Sequence, residues 1–151
     1  MKDQFRDGGI VVENALGFWI HRVYQASRNE MFREFREQGE EVTPEQWALL
    51  IRLWERDELT QSELSEATFR DAPTTSRIVA GMEARGLLER IVHPEDARAR
   101  IVRLTPKARA LRKKLVPVVE RIVQRMVGEI PEKDLITTRA TLRRMFDNLA
   151  S

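Results

Sequence analysis

The 151-residue sequence predicts a mainly α chain with a small β-hairpin wing: a winged helix-turn-helix with dimerisation helices at its N- and C-terminal ends. Two helical segments follow one another across a tight turn between Thr60 and Arg85, and a basic hairpin tipped by His93-Pro94-Glu95-Asp96-Ala97-Arg98 comes directly after them. Apolar stripes at helical spacing extend well beyond both ends of that unit. A helix sized for the major groove beside an arginine-tipped loop sized for the minor groove predicts a reader of duplex DNA.

Each element has a local cause. Val12, Leu16, Trp19, Val23, Met31 and Phe35 recur at three- and four-residue steps, which predicts one long amphipathic helix ended by Gly39. Thr43-Pro44-Glu45-Gln46 restarts a helix, with Thr as N-cap, Pro in the first turn and Gln closing a capping box. Trp47, Leu50, Ile51 and Trp54 mark its expected buried face. Thr60-Gln61-Ser62-Glu63 is a second capping box and opens a helix of about two turns whose Leu64 faces inward. Asp71 is the expected N-cap of the next helix, which carries Pro73 in its first turn, buries Ile78, Val79 and Met82, and stops at Gly86. Leu88 to His93 and Ala99 to Leu104 read as the two strands of the wing. Thr105-Pro106 then opens a long helix with Leu111, Leu115, Val119, Ile122 and Met126 in one stripe, bent at Pro117 and closed by Gly128. Pro131 starts the last helix, with Leu135, Leu142, Met145, Phe146 and Leu149 on one side.

This organisation makes residues 1–151 a single domain, with 43–105 as its DNA-binding part and 10–38 and 106–151 as dimerisation helices. The outer helices carry more apolar surface than a unit of about sixty residues can cover, so a second copy of the chain is the expected partner. Charge is unevenly spread. Lys+Arg against Asp+Glu gives −6 for residues 1–67, +7 for 68–114 and +1 for 115–151, so the positive surplus coincides with the helix-turn-helix and wing, where phosphates would need it. The chain contains no cysteine, which excludes disulfides, thiolate metal sites and thiol redox chemistry. The Met1-Lys2-Asp3-Gln4-Phe5-Arg6-Asp7 start leads into no apolar run of spanning length, so no membrane association and a cytoplasmic setting are expected.

Several stretches are similar to one family. Leu64-Ser65-Glu66-Ala67, Ser76-Arg77-Ile78-Val79 and Met82-Glu83-Ala84-Arg85-Gly86-Leu87-Leu88, then Pro94-Glu95-Asp96-Ala97-Arg98 in the wing and Leu104-Thr105-Pro106 beyond it, resemble the MarR family of bacterial transcription regulators. Leu16-Gly17-Phe18 and Thr43-Pro44-Glu45-Gln46 extend the resemblance to the first two helices. It implies a homodimer on a pseudo-palindromic operator, usually repressing nearby genes and often released by a small aromatic or phenolic acid. Three positions depart from the pattern. Thr68-Phe69-Arg70 occupies a turn where the family usually has an apolar residue, a small residue often glycine, and another apolar residue. Thr75 replaces a usual valine, and its hydroxyl is expected to bond back to the Asp71 carbonyl. The absence of cysteine separates the chain from the family's thiol-based peroxide sensors.

Candidate site residues follow from these placements. Thr74, Arg77 and Gly81, flanked by Pro73 and Ser76, lie opposite the buried face of the recognition helix. Small and hydrogen-bonding groups with one arginine suit close approach to base edges, where Arg77 serves either as a guanine reader or as a phosphate clamp. In the wing, Arg98 is expected in a narrow minor groove with Asp96 holding its guanidinium by a fork, and Arg100 beside them. Arg70 and Arg103 are expected on the DNA backbone. Trp19, His21, Arg22, Tyr24 and Trp47 form a candidate effector pocket for an aromatic anion, with arginine for its carboxylate and indole for its ring.

An enzyme is not expected, and no cofactor or metal is implied: two distant histidines and no glycine-rich phosphate loop leave no catalytic constellation to assemble. The alternative is a helical dimer that binds no DNA and acts as an adaptor or anti-regulator. It leaves the basic charge around the hairpin without a purpose.

Overall fold

A computed structural model describes residues 5–6, 9–96 and 98–150. Met1 to Gln4 and Asp7 of the N-terminal stretch, and Ala97 of the wing motif, lie outside the described residues. Strands β1 (Phe5–Arg6) and β2 (Gly9–Ile10) pair antiparallel and lead through a single 3-10 turn, Val12–Asn14, into α1 (Leu16–Glu37). Then follow α2 (Pro44–Glu55), β3 (Leu59–Thr60), α3 (Gln61–Ala67), α4 (Ala72–Ala84), β4 (Leu88–Val92), β5 (Arg100–Leu104), α5 (Pro106–Val127) and α6 (Glu132–Leu149).

The start signals act as expected. Thr43 and Thr60 each accept the N–H of the third helical residue, while Gln46 and Glu63 reach back to the cap N–H, so both capping boxes close. Asp71 caps α4 through the Thr74 N–H, and Thr105 caps α5 through the Ala108 N–H. α5 runs unbroken through Pro117.

Four expectations are corrected. The first helix begins at Leu16, because Ala15 is extended and interrupts the helical path after Asn14. The wing strands stop at Val92 and resume at Arg100, since His93 and Ala99 already belong to the loop closure, where the His93 N–H donates to the Ala99 carbonyl at 3.2 Å. A third strand, β3, joins the sheet in the order β3-β5-β4, with Leu59 opposite Val102 and Leu88 opposite Leu104. On α2 the buried residues are Leu49, Leu50 and Leu53, with Trp47, Ile51 and Trp54 only partly covered, because this helix is packed by α1, α3, α4, α5 and β5 on several sides.

One core joins these elements. Phe35, Leu50, Leu53, Leu64, Val79, Met82, Leu87, Val102 and Leu115 are buried together, and the half-buried Trp54 donates its Nε1–H to the Ala108 carbonyl at 3.1 Å. The arms are held differently. Phe35 is the sole buried residue of α1, and α6 buries none. Charged contacts fasten α1 to α5, with Arg125 on Glu30 and, at 2.8 Å, on Glu34. Trp19, Ile20 and Val23 on α1 and Leu142 and Phe146 on α6 stay exposed, and a groove of about 520 Å³ runs between the two helices.

Candidate nucleic-acid interface

The helix expected to read DNA is α4. Thr75, Ile78, Val79 and Met82 root it in the core, and the Thr75 hydroxyl donates to the Asp71 carbonyl at 3.1 Å, as the sequence predicts. Pro73, Arg77 and Gly81 are exposed on the other side, with Thr74 and Ser76 half-buried beside them. Asp71 receives both the Thr74 N–H (2.7 Å) and the Thr74 hydroxyl (2.9 Å), and these two bonds hold its carboxyl below the usual range. The Thr74 hydroxyl is thereby committed as a donor to the cap and presents only its acceptor side outward. Gly81 has nothing within 4 Å of the position a Cβ would take, so the fold does not require glycine there.

The wing projects on β4 and β5, five residues each. Its tip is shaped by local bonds: Glu95 donates its N–H to His93 Nδ1 at 3.2 Å, and Ala99 donates to the Asp96 carbonyl at 3.0 Å. The expected fork is not what holds Arg98. Asp96 Oδ1 accepts the main-chain N–H of Arg98 at 2.9 Å, an Asx turn that a carboxylate two residues upstream forms more readily than a long-range fork. The Arg98 side chain is exposed, and it has no ion pair among the described residues. Arg100 donates to the Ala99 carbonyl at 3.0 Å.

Two arginines expected on the DNA backbone have intrachain partners in the free chain. Arg103 lies across the hairpin from Glu89 and donates to it at 2.8 Å, a cross-strand pair that raises the guanidinium pKa further. Arg70 donates to the Thr68 carbonyl at 3.0 Å and lines a crevice of about 340 Å³ between α1, α2 and α5.

That crevice gathers part of the candidate effector pocket. Tyr24 and Trp47 line it, together with Met31, Val119 and Ile122, and with Arg28 and Arg70 as cationic groups that sequence reasoning did not place there. Arg28 is paired with Glu45, whose hydrogen bond and charge raise the guanidinium pKa. Trp19 lines the α1–α6 groove, which Tyr24 also lines, and donates its Nε1–H to the Glu13 carbonyl at 2.7 Å. Arg22 stands 5.6 Å over the Phe18 ring on the exposed side of α1, and His21 is exposed outside the crevice lining. A helix turns about 100° per residue, so Arg22 is about 160° around the helix from Tyr24. Arg28, one turn beyond Tyr24 on the same face, was the legible neighbour.

Known proteins agree with this architecture. Residues 41–99, from the start of α2 through the wing tip, match a model of the MarR family. The repressor NicR of Pseudomonas putida is 27% identical over 137 residues, covering 91% of this chain and 85% of that protein. The organic hydroperoxide resistance transcriptional regulator of Bacillus subtilis is 29% identical over 109 residues, 71% of each chain. Among solved structures, Bordetella bronchiseptica BpsR, whose DNA binding is regulated by 6-hydroxynicotinic acid, superposes with a TM-score of 0.80 at 27% identity, covering 89% of this chain and 95% of that one. With its winged helix and flanking helical arms, the chain is similar to the MarR family over residues 41–99, and the curated relatives it matches are transcription regulators.

Proposed function

We propose that this protein is a homodimeric repressor that binds a pseudo-palindromic operator in the cytoplasm and is released by a small aromatic acid. The observation that carries this is the pairing of an exposed recognition face on α4 with two arms that the chain does not cover by itself. α6 buries no residue, and Trp19, Ile20, Val23 and Leu142 offer a connected apolar face that a second copy would close. Residues 43–105 then act as the DNA-binding part and 10–38 and 106–151 as the dimerisation helices of one 1–151 unit. A two-fold axis through the arms sets the two α4 helices about 34 to 36 Å apart, one DNA turn. Arg77, with Pro73, Thr74, Ser76 and Gly81, meets the major groove, while Arg98, with Asp96 and Arg100, meets the minor groove.

The crevice beneath Tyr24 and Trp47 supplies the release site. An aromatic ring packs on the indole, and its carboxylate meets Arg28 or Arg70. The likeness to BpsR, whose DNA binding is regulated by 6-hydroxynicotinic acid, supports an aromatic acid. A thiol-based response is excluded, because this chain has no cysteine. The test is a titration of duplexes selected from a random pool, at several salt concentrations, without and with 6-hydroxynicotinic acid and other aromatic acids. Steep inverse salt dependence with two chains per duplex and release by an acid is expected; binding that ignores salt, or no binding, refutes the proposal.

A further inference from the structure

Three helices of this chain end in the same backbone device. At the ends of α1, α3 and α4 a left-handed residue follows the cap: Gly39 at φ 75°, Phe69 at φ 53° and Gly86 at φ 67°. Each time, the N–H after it returns five residues to close the helix, from Glu40 to Phe35, Arg70 to Ser65 and Leu87 to Met82, at 2.9, 3.0 and 2.9 Å. Glycine takes the strained position twice because it carries no Cβ. Phenylalanine takes it once, at a steric cost that the turn itself does not require.

Nor does Phe69 belong to the core. Its side chain is 77% exposed, yet its ring meets that of Phe146 edge-on, with centroids 5.3 Å apart and planes at 72°. Phe146 lies near the end of α6, the helix that buries nothing. Phe69 therefore ties the helix-turn-helix turn to the C-terminal arm, two residues before the Asp71 cap from which the recognition helix starts.

We propose that Phe69 is a positioning residue for DNA recognition. Its ring on Phe146 sets the angle at which the arm presents α4, and this gain outweighs the backbone strain. The inference rests on the DNA-binding function proposed above.

The test compares wild type, Phe69→Gly, Phe146→Ala and the double variant on a duplex that the wild type selects from a random pool, at a protein concentration where all four sediment alike. Glycine relieves the strain as it removes the ring, so the Tm of Phe69→Gly should stay within about 3 °C of wild type. Affinity should fall about three- to tenfold in each single variant, the range an aromatic pair supports. The double variant should be no worse than the weaker single one. The salt slope should not change, since no phosphate contact is lost. Unchanged affinity of Phe69→Gly, a double loss equal to the product of the single losses, or a slope lowered by about one would each overturn the inference while leaving the proposed function standing. A wild-type protein that selects no duplex overturns the proposed function, and this inference with it.

Discussion

Removing the Arg98 guanidinium isolates the wing's contribution to DNA binding. Two strands of five residues, at about 3.3 Å per residue, carry the tip about 16 Å from the sheet base, far enough for a side chain to enter a groove while α4 occupies its neighbour. In the free protein Arg98 is exposed, and Asp96 grips only its main-chain N–H, which Arg98→Ala retains. The variant should thus fold, keep its wing turn and unfold at the wild-type temperature. Any loss arises in the complex alone, where a guanidinium in a groove contributes about 1 to 3 kcal/mol, a factor of roughly 5 to 150 in Kd. Fluorescence anisotropy on a selected duplex measures it, with Arg103→Ala as a comparison. Arg103 is already paired with Glu89 at the surface, so its loss should weaken binding less than that of Arg98. An Arg98→Ala affinity equal to wild type at physiological salt, or a larger loss for Arg103→Ala, would refute the assignment of Arg98 to the minor groove.

Three further outcomes follow from the geometry. Gly81→Ala meets no neighbouring atom within 4 Å and sits inside a helix, so it should raise stability by about 0.5 to 1 kcal/mol in thermal unfolding while weakening operator binding through the added methyl on the recognition face. Thr75→Val removes a buried hydroxyl whose acceptor, the Asp71 carbonyl, keeps the Thr75 main-chain N–H at 3.0 Å; denaturant unfolding should show it at least as stable as wild type, and Thr75→Ser, which loses the methyl, about 1 kcal/mol less stable. Arg33 first and Arg125 second hold the Glu30 carboxyl at about 2 against an ordinary 4.5, so the stability it lends the α1–α5 clasp is complete above about pH 4.5 and is lost as pH falls toward 2. Thermal midpoints across that window should decline more for wild type than for Glu30→Gln.

Much of the fold was written locally. Both capping boxes, the Asp71 and Thr105 caps and the Gly39 and Gly86 stops each depend on residues within one helical turn, and sequence shows such signals directly. β3 was not legible: two residues, Leu59 and Thr60, are strand only because Val102 and Ile101 lie opposite them, some forty residues on. The start of α1 was obscured because Val12 and Leu16 keep helical spacing on either side of the extended Ala15. The recognition helix and wing were legible because they are single continuous segments. The crevice was not, since it is assembled from α1, α2, α5 and the turn at Arg70, and grouping Arg22 with Tyr24 by proximity in the chain ignored the rotation of the helix between them. The Arg103–Glu89 pair depended on hairpin register, which periodicity alone does not give.

The central claim is that two copies join through α1, α5 and α6 and offer paired recognition helices to one duplex. Sedimentation equilibrium of the protein, free and with a selected operator duplex, tests it most directly. The account predicts a free species of twice the 17.6 kDa chain mass and a complex holding two chains per duplex. A free species of single chain mass that also binds DNA as one chain per duplex would contradict it.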